Sequence, residues 1–115
     1  MTEKEKRIRK EKLKLKRKLK DSGADLSALE GLIDNVSWAK VELEDMRADI
    51  DENGRETLFQ QSPNVPPYMR ERPVVGEYMK LSKDYESKMK ILLSYLPHDD
   101  STAAVDEFQA FLRRG

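Results

Sequence analysis

Cysteine is absent from the 115 residues, which removes disulfides and thiol chemistry and gives no reason to place the chain in an oxidising compartment. The single histidine, His98, leaves neither a typical zinc set nor a Ser/His/Asp arrangement. Five glycines are scattered singly, so no glycine-rich phosphate loop is present. No apolar run approaches the roughly 20 residues that cross a bilayer, and the basic first segment lacks the apolar stretch of a signal peptide. These absences predict a soluble intracellular protein with no membrane contact, no cofactor, no bound metal and no enzymatic activity.

Apolar residues are also scarce. Hydrophobic types make up 37% of the chain and charged types 38%, with a mean hydropathy of -0.82, against about 25% charged residues in an ordinary domain. One lean core fits this balance, and long helices that share a core between copies fit it better than a compact sandwich.

The formal net charge of zero conceals a split. Residues 1–20 hold eleven cations, Lys4, Lys6, Arg7, Arg9, Lys10, Lys12, Lys14, Lys16, Arg17, Lys18 and Lys20, against three glutamates, a net of +8; the remainder carries -8. A basic arm on an acidic body is the signature of contact with a polyanion. Lys outnumbers Arg eight to three in the arm, which favours recognition of DNA by charge and shape over reading of guanine edges.

Periodicity organises the rest. Thr2 with Glu5 three residues on is a possible capping box for a basic helix to about residue 20, whose Ile8, Leu15 and Leu19 share one face. Asp21-Ser22-Gly23 ends it, and Asp25 is the expected N-cap of a second helix running to about Glu52, where Asn53-Gly54 supplies a stop. Within that helix Leu29, Leu32, Val36, Ala39, Leu43, Met46 and Ile50 form a heptad seam. Pro63, Pro66 and Pro67 exclude a regular helix from residues 53–72, leaving a linker with at most a short extended piece. Pro73 then opens a third helix in which Val74, Tyr78, Leu81, Tyr85, Met89, Leu92 and Leu96 recur at spacings of three and four until Pro97. The matching stripes predict an all-α protein: a long antiparallel helical hairpin over residues 23–97, preceded by the basic helix of residues 1–22 and followed by a short helix within residues 98–115, the whole being oligomeric.

Candidate residues follow from what this arrangement leaves over. Trp38 and Val41 lie off the seam, either packed in the core or free to meet a neighbouring subunit. With Asp45 and Asp49 they form the expected oligomer interface. The acidic run from Glu42 to Glu52 reads as a solvated face rather than a cation site, since one helix face converges too few oxygens; a second role for it is to pair with the basic arm of a neighbouring subunit and restrain that arm when DNA is absent. Tyr78 and Tyr85 fall at core spacing. Val105, Phe108, Phe111 and Leu112, on one side of a helix capped by Ser101, look like a docking peptide.

The order of parts, a Lys-rich helix, Leu43-Glu44-Asp45-Met46 running into Asp51-Glu52-Asn53-Gly54, a polar loop, Arg72-Pro73-Val74-Val75-Gly76-Glu77-Tyr78, and a close at Leu92-Leu93-Ser94-Tyr95-Leu96-Pro97, resembles the small terminase subunits of tailed bacteriophages. The resemblance covers about residues 4–97. It implies a non-catalytic DNA-packaging protein in the cytoplasm of an infected bacterial host: a ring-forming subunit that binds double-stranded viral DNA and recruits or regulates the ATPase and nuclease of the large terminase subunit. By the same resemblance, residues 4–20 would be the DNA side, the hairpin the assembly core and residues 105–114 the motor-binding end. Many small terminases carry a helix-turn-helix module, and nothing before Leu26 is long or apolar enough to form one. A plain coiled-coil scaffold whose basic helix meets an acidic partner is the alternative reading.

Overall fold

The computed structural model describes residues 1–96, folded as three helices and a two-stranded sheet: α1 (Glu3–Asp21), α2 (Leu26–Asn53), β1 (Glu56–Phe59), β2 (Tyr68–Glu71) and α3 (Pro73–Leu93). The expected C-terminal helix with Val105, Phe108, Phe111 and Leu112, and His98 with it, lies outside the described residues.

Local chemistry sets the helix limits. The Thr2 hydroxyl accepts the Glu5 amide at 3.1 Å and Asp25 accepts the Ser27 amide at 3.1 Å, each satisfying a donor that the first turn leaves orphaned. Pro73 stands at the start of α3, where its missing N–H costs nothing. Gly54 ends α2 at φ 85° and ψ 176°, a backbone conformation reserved in practice for glycine, while its amide still bonds the Ile50 carbonyl at 2.8 Å.

Helix α2, about 42 Å long at 1.5 Å per residue, is the common partner of the other two. Leu29, Ile33, Val36, Ala39 and Leu43 of α2 make one cluster with Leu19 of α1 and with Tyr85 and Leu92 of α3, and Leu15, Leu32, Tyr78, Leu81, Met89 and Leu96 pack around its rim. The α3 stripe thus meets the α2 seam, with Leu96 still on the core after the helix has ended. The seam is not the whole buried surface, however. Ile33, Ser37 and Val41, spaced four apart, are fully buried, whereas the seam residue Met46 is only half-buried. At 100° per residue these three lie on the flank of α2 that turns towards α1, so a helix with two partners buries two stripes. Val41 is therefore core, and the expectation that it meets a neighbouring subunit is corrected. Ser37 is tolerated at zero exposure because its hydroxyl donates to the Ile33 carbonyl at 2.8 Å.

The linker of residues 53–72 is also more regular than its prolines suggest. Strands β1 and β2 pair antiparallel in the register Glu56 with Glu71, Thr57 with Arg70, Leu58 with Met69 and Phe59 with Tyr68. Pro63, Pro66 and Pro67 all sit in the loop between them, where no ladder donor is needed. The hairpin root is clamped by Arg72, whose guanidinium donates to both carboxylate oxygens of Asp49 at 2.9 and 3.0 Å and to the Gly54 carbonyl at 2.7 Å.

Candidate nucleic-acid interface

The cations of α1 are divided between two sides of the helix. On the side turned to α2, Lys4 pairs with Glu42 and Asp45, and Arg7 reaches Asp45 at 2.7 Å and Glu44 at 3.5 Å. Further along, Lys12 pairs with Glu30 at 3.0 Å and Asp34 at 3.4 Å, and Lys16 meets Glu30 at 3.1 Å. Partners early in α1 are late in α2, so the helices run antiparallel. At the centre the polarity reverses, with Lys40 of α2 donating to Glu11 of α1 at 2.6 Å. That pair is the most enclosed of the set, its side chains only 14% and 18% exposed. Tyr85 lies under the same junction, its phenol pushed up by burial and by the neighbouring Glu11 and Glu44 charges.

Electrostatics reports the same contacts. The Glu30 carboxyl is held below its ordinary range, first by the hydrogen bond from Lys12 and then by that from Lys16. Lys12 is raised by its bond to Glu30, and Arg7 by its bond to Asp45. Asp49 is lowered mainly by Arg72 and then by Asn53, which donates to it at 2.6 Å. Asp45 and Asp49, expected at a subunit interface, are thus engaged within the chain by α1 and by the hairpin root.

The opposite side of α1 is open. Lys6, Arg9, Lys10, Leu13, Lys14, Arg17 and Lys20 are all exposed and share an arc of about 140° at 100° per residue. Among the described residues Lys6 pairs only with Glu3 on its own helix, at 3.3 Å, and Arg9, Lys10, Lys14, Arg17 and Lys20 hold no ion pair. Lys18 lies between the two sides, half-buried and engaged. From Lys6 to Lys20 the stripe is about 21 Å long, and it is carried on a rigid helix whose other side is held by charge pairs and by Leu15 and Leu19. The sequence marks all eleven cations alike; only docking on α2 separates those that fold the arm from those that face outward.

Beside the stripe runs an open groove of about 450 Å³ lined by Glu5, Ile8, Arg9, Lys12, Leu13, Lys16 and Asp34. Trp38, 47% exposed, stands on the third side of α2 with Gly31 and Asn35, away from both packed flanks. Among the described residues no three His, Asp or Glu side chains converge to hold a metal ion, and no helix is long and apolar enough to cross a membrane. Comparison with protein-family models, curated proteins and solved structures returned no match.

Proposed function

We propose that the chain is a non-catalytic DNA-binding assembly protein of the small terminase kind, which binds double-stranded viral DNA, forms a ring and recruits or regulates the large terminase ATPase and nuclease. The observation that carries the DNA-binding reading is the outward stripe of α1: five cations without an anionic partner among the described residues, aligned along one side of a helix. Such a stripe follows phosphates and contributes affinity by releasing their condensed counterions. The sequence resemblance supplies the packaging context. In this reading the α2–α3 layer is the assembly core, Trp38 on the open side of α2 faces a neighbouring subunit, and residues 105–112 engage the large subunit.

The test is native mass spectrometry of the full chain with and without duplex DNA. A closed assembly of more than two copies that takes up duplex, and loses it when Arg9, Lys10, Lys14 and Lys20 are changed to Glu, is the expected result. Unchanged DNA uptake by that variant sinks the assignment of the stripe, and uptake of acidic peptides in preference to DNA favours the scaffold reading.

A further inference from the structure

The β-hairpin carries a feature that DNA binding does not use. Side chains alternate across a strand, so the observed register puts Glu56, Glu71, Leu58 and Met69 on one face and Thr57, Arg70, Phe59 and Tyr68 on the other. The second face is satisfied internally: Arg70 stacks 4.4 Å above the Phe59 ring, and Tyr68 meets that ring edge-on at 5.6 Å. The first face is not. Leu58 and Met69 are 65% and 56% exposed, and Glu56 and Glu71 stand directly opposed with no cation among the described residues paired to either, an arrangement that destabilises an isolated hairpin. Two carboxylates next to an apolar pair repel phosphate and call for a surface that is cationic and apolar at matching spacing.

The chain displays one. Leu13 on α1 is 52% exposed, borders the groove that Ile8 also lines, and has the unpaired Arg17 one turn further on. Four residues of helix rise about 6 Å, and two residues of strand about 6.8 Å, so an apolar residue and its charged neighbour keep the same separation on both surfaces. Glu5 lies at the other end of the groove, which orients the hairpin acids towards Arg17. Within one chain the two surfaces are both exposed and therefore not in contact.

We infer that the hairpin of one copy docks its Leu58 and Met69 face on Leu13 in α1 of a second copy, with Glu56 and Glu71 meeting Arg17. The contact is head-to-tail, each copy giving a hairpin and receiving one, and so propagates until it closes. Arg17 is thereby taken out of the DNA stripe, which leaves Arg9, Lys10, Lys14 and Lys20 as its cations without an ion pair to a described residue. The inference rests on the reading that the chain self-associates.

Sedimentation velocity of the full chain without DNA, at micromolar concentrations and about 0.1 M salt, tests it. Arg17→Glu, or Glu56→Lys with Glu71→Lys, each weakens self-association at least about tenfold by setting like charges together. The triple variant, with all three charges exchanged, recovers wild-type assembly within about threefold. Arg9→Glu makes the same charge change one turn on the other side of Leu13 and leaves assembly within about twofold of wild type. All these positions are exposed, the double lysine variant keeps the hairpin's own like-charge pair, and helical circular dichroism checks that each variant is folded. If the wild type assembles and these variants assemble equally well, if the triple variant fails to recover, or if Arg9→Glu matches Arg17→Glu, the docking is overturned while self-association stands. A wild type found only at the 13.4 kDa monomer mass overturns both.

Discussion

The salt dependence of DNA binding distinguishes a docked arm from a released one, and the structure sets the expected slopes. The logarithm of the association constant falls with the logarithm of salt at about 0.9 per neutralised phosphate. With α1 held on α2 and Arg17 met by the hairpin of a second copy, four unpaired cations, Arg9, Lys10, Lys14 and Lys20, give a slope of about -3.6 per chain, which is about a 150-fold loss of affinity between 50 and 200 mM salt. Replacing Lys10, Lys14 and Lys20 by Ala leaves Arg9 alone and reduces the slope to about -0.9, a loss of about 3.5-fold over the same range. If DNA instead stripped α1 from its acidic partners, all eleven cations would be available and the slope would approach about -10. Fluorescence anisotropy of a labelled duplex, titrated across that salt range at fixed protein concentration, reads the slope directly. A wild-type slope near -10, or a slope that falls as much with Lys12→Ala and Lys16→Ala as with the outward substitutions, would refute the division of the arm into a folding side and a binding side.

Other outcomes follow from the packing. Leu19→Ala, at a side chain 3% exposed, costs about 2–5 kcal/mol in chemical denaturation and steepens the salt slope, because it loosens the apolar end of the α1 contact. Tyr85→Ala, at 1% exposure under the junction of all three helices, costs about 3–5 kcal/mol by the same assay, and a loss below about 1 kcal/mol would place Tyr85 outside the core. Gly54→Ala forces a side chain into its positive-φ backbone and lowers stability by about 1–3 kcal/mol, read as a shift in thermal midpoint. Glu30 and Asp49 have carboxyls lowered by Lys12 and Arg72, so the stability they contribute is present above the ordinary carboxylate value of about 4 and is lost as pH falls through their lower folded values. Hydrogen exchange compared at pH 6 and pH 3, after correction for intrinsic rates, is expected to show amides of α1 and of the hairpin root losing protection first; equal protection at both values would contradict the assigned pairs.

Much of this fold is written locally. Thr2, Asp25, Gly54 and Pro73 act through bonds and backbone angles within a few residues of themselves, so the limits of α1, α2 and the start of α3 follow from the residues at those points. The matching stripes in α2 and α3 are equally local, since the period alone puts Leu29, Val36, Leu43, Tyr85 and Leu92 on apolar faces. Pairing between distant parts is not. Thr57-Leu58-Phe59 and Tyr68-Met69-Arg70 become strands only by finding each other across a proline-bearing loop, and neither segment is long enough to announce this. Val41 and Trp38 both lie off the seam, three residues apart, yet one is fully buried and the other half exposed. What separates them is the position of α1, a helix too polar for its own pattern to say where it packs.

The same holds for the candidate site. Composition alone determined that the first twenty residues are a polycation on an acidic body, because charge is a property of residues and needs no fold. Only the tertiary structure decided which cations are neutralised, by laying α1 antiparallel on α2 so that Lys4, Arg7, Lys12 and Lys16 meet carboxylates some 14 to 41 residues away, while Arg9, Lys10, Lys14, Arg17 and Lys20 turn to solvent. Ion pairing falls off over a few ångströms, and distances of that order between remote residues exist only once the chain has folded.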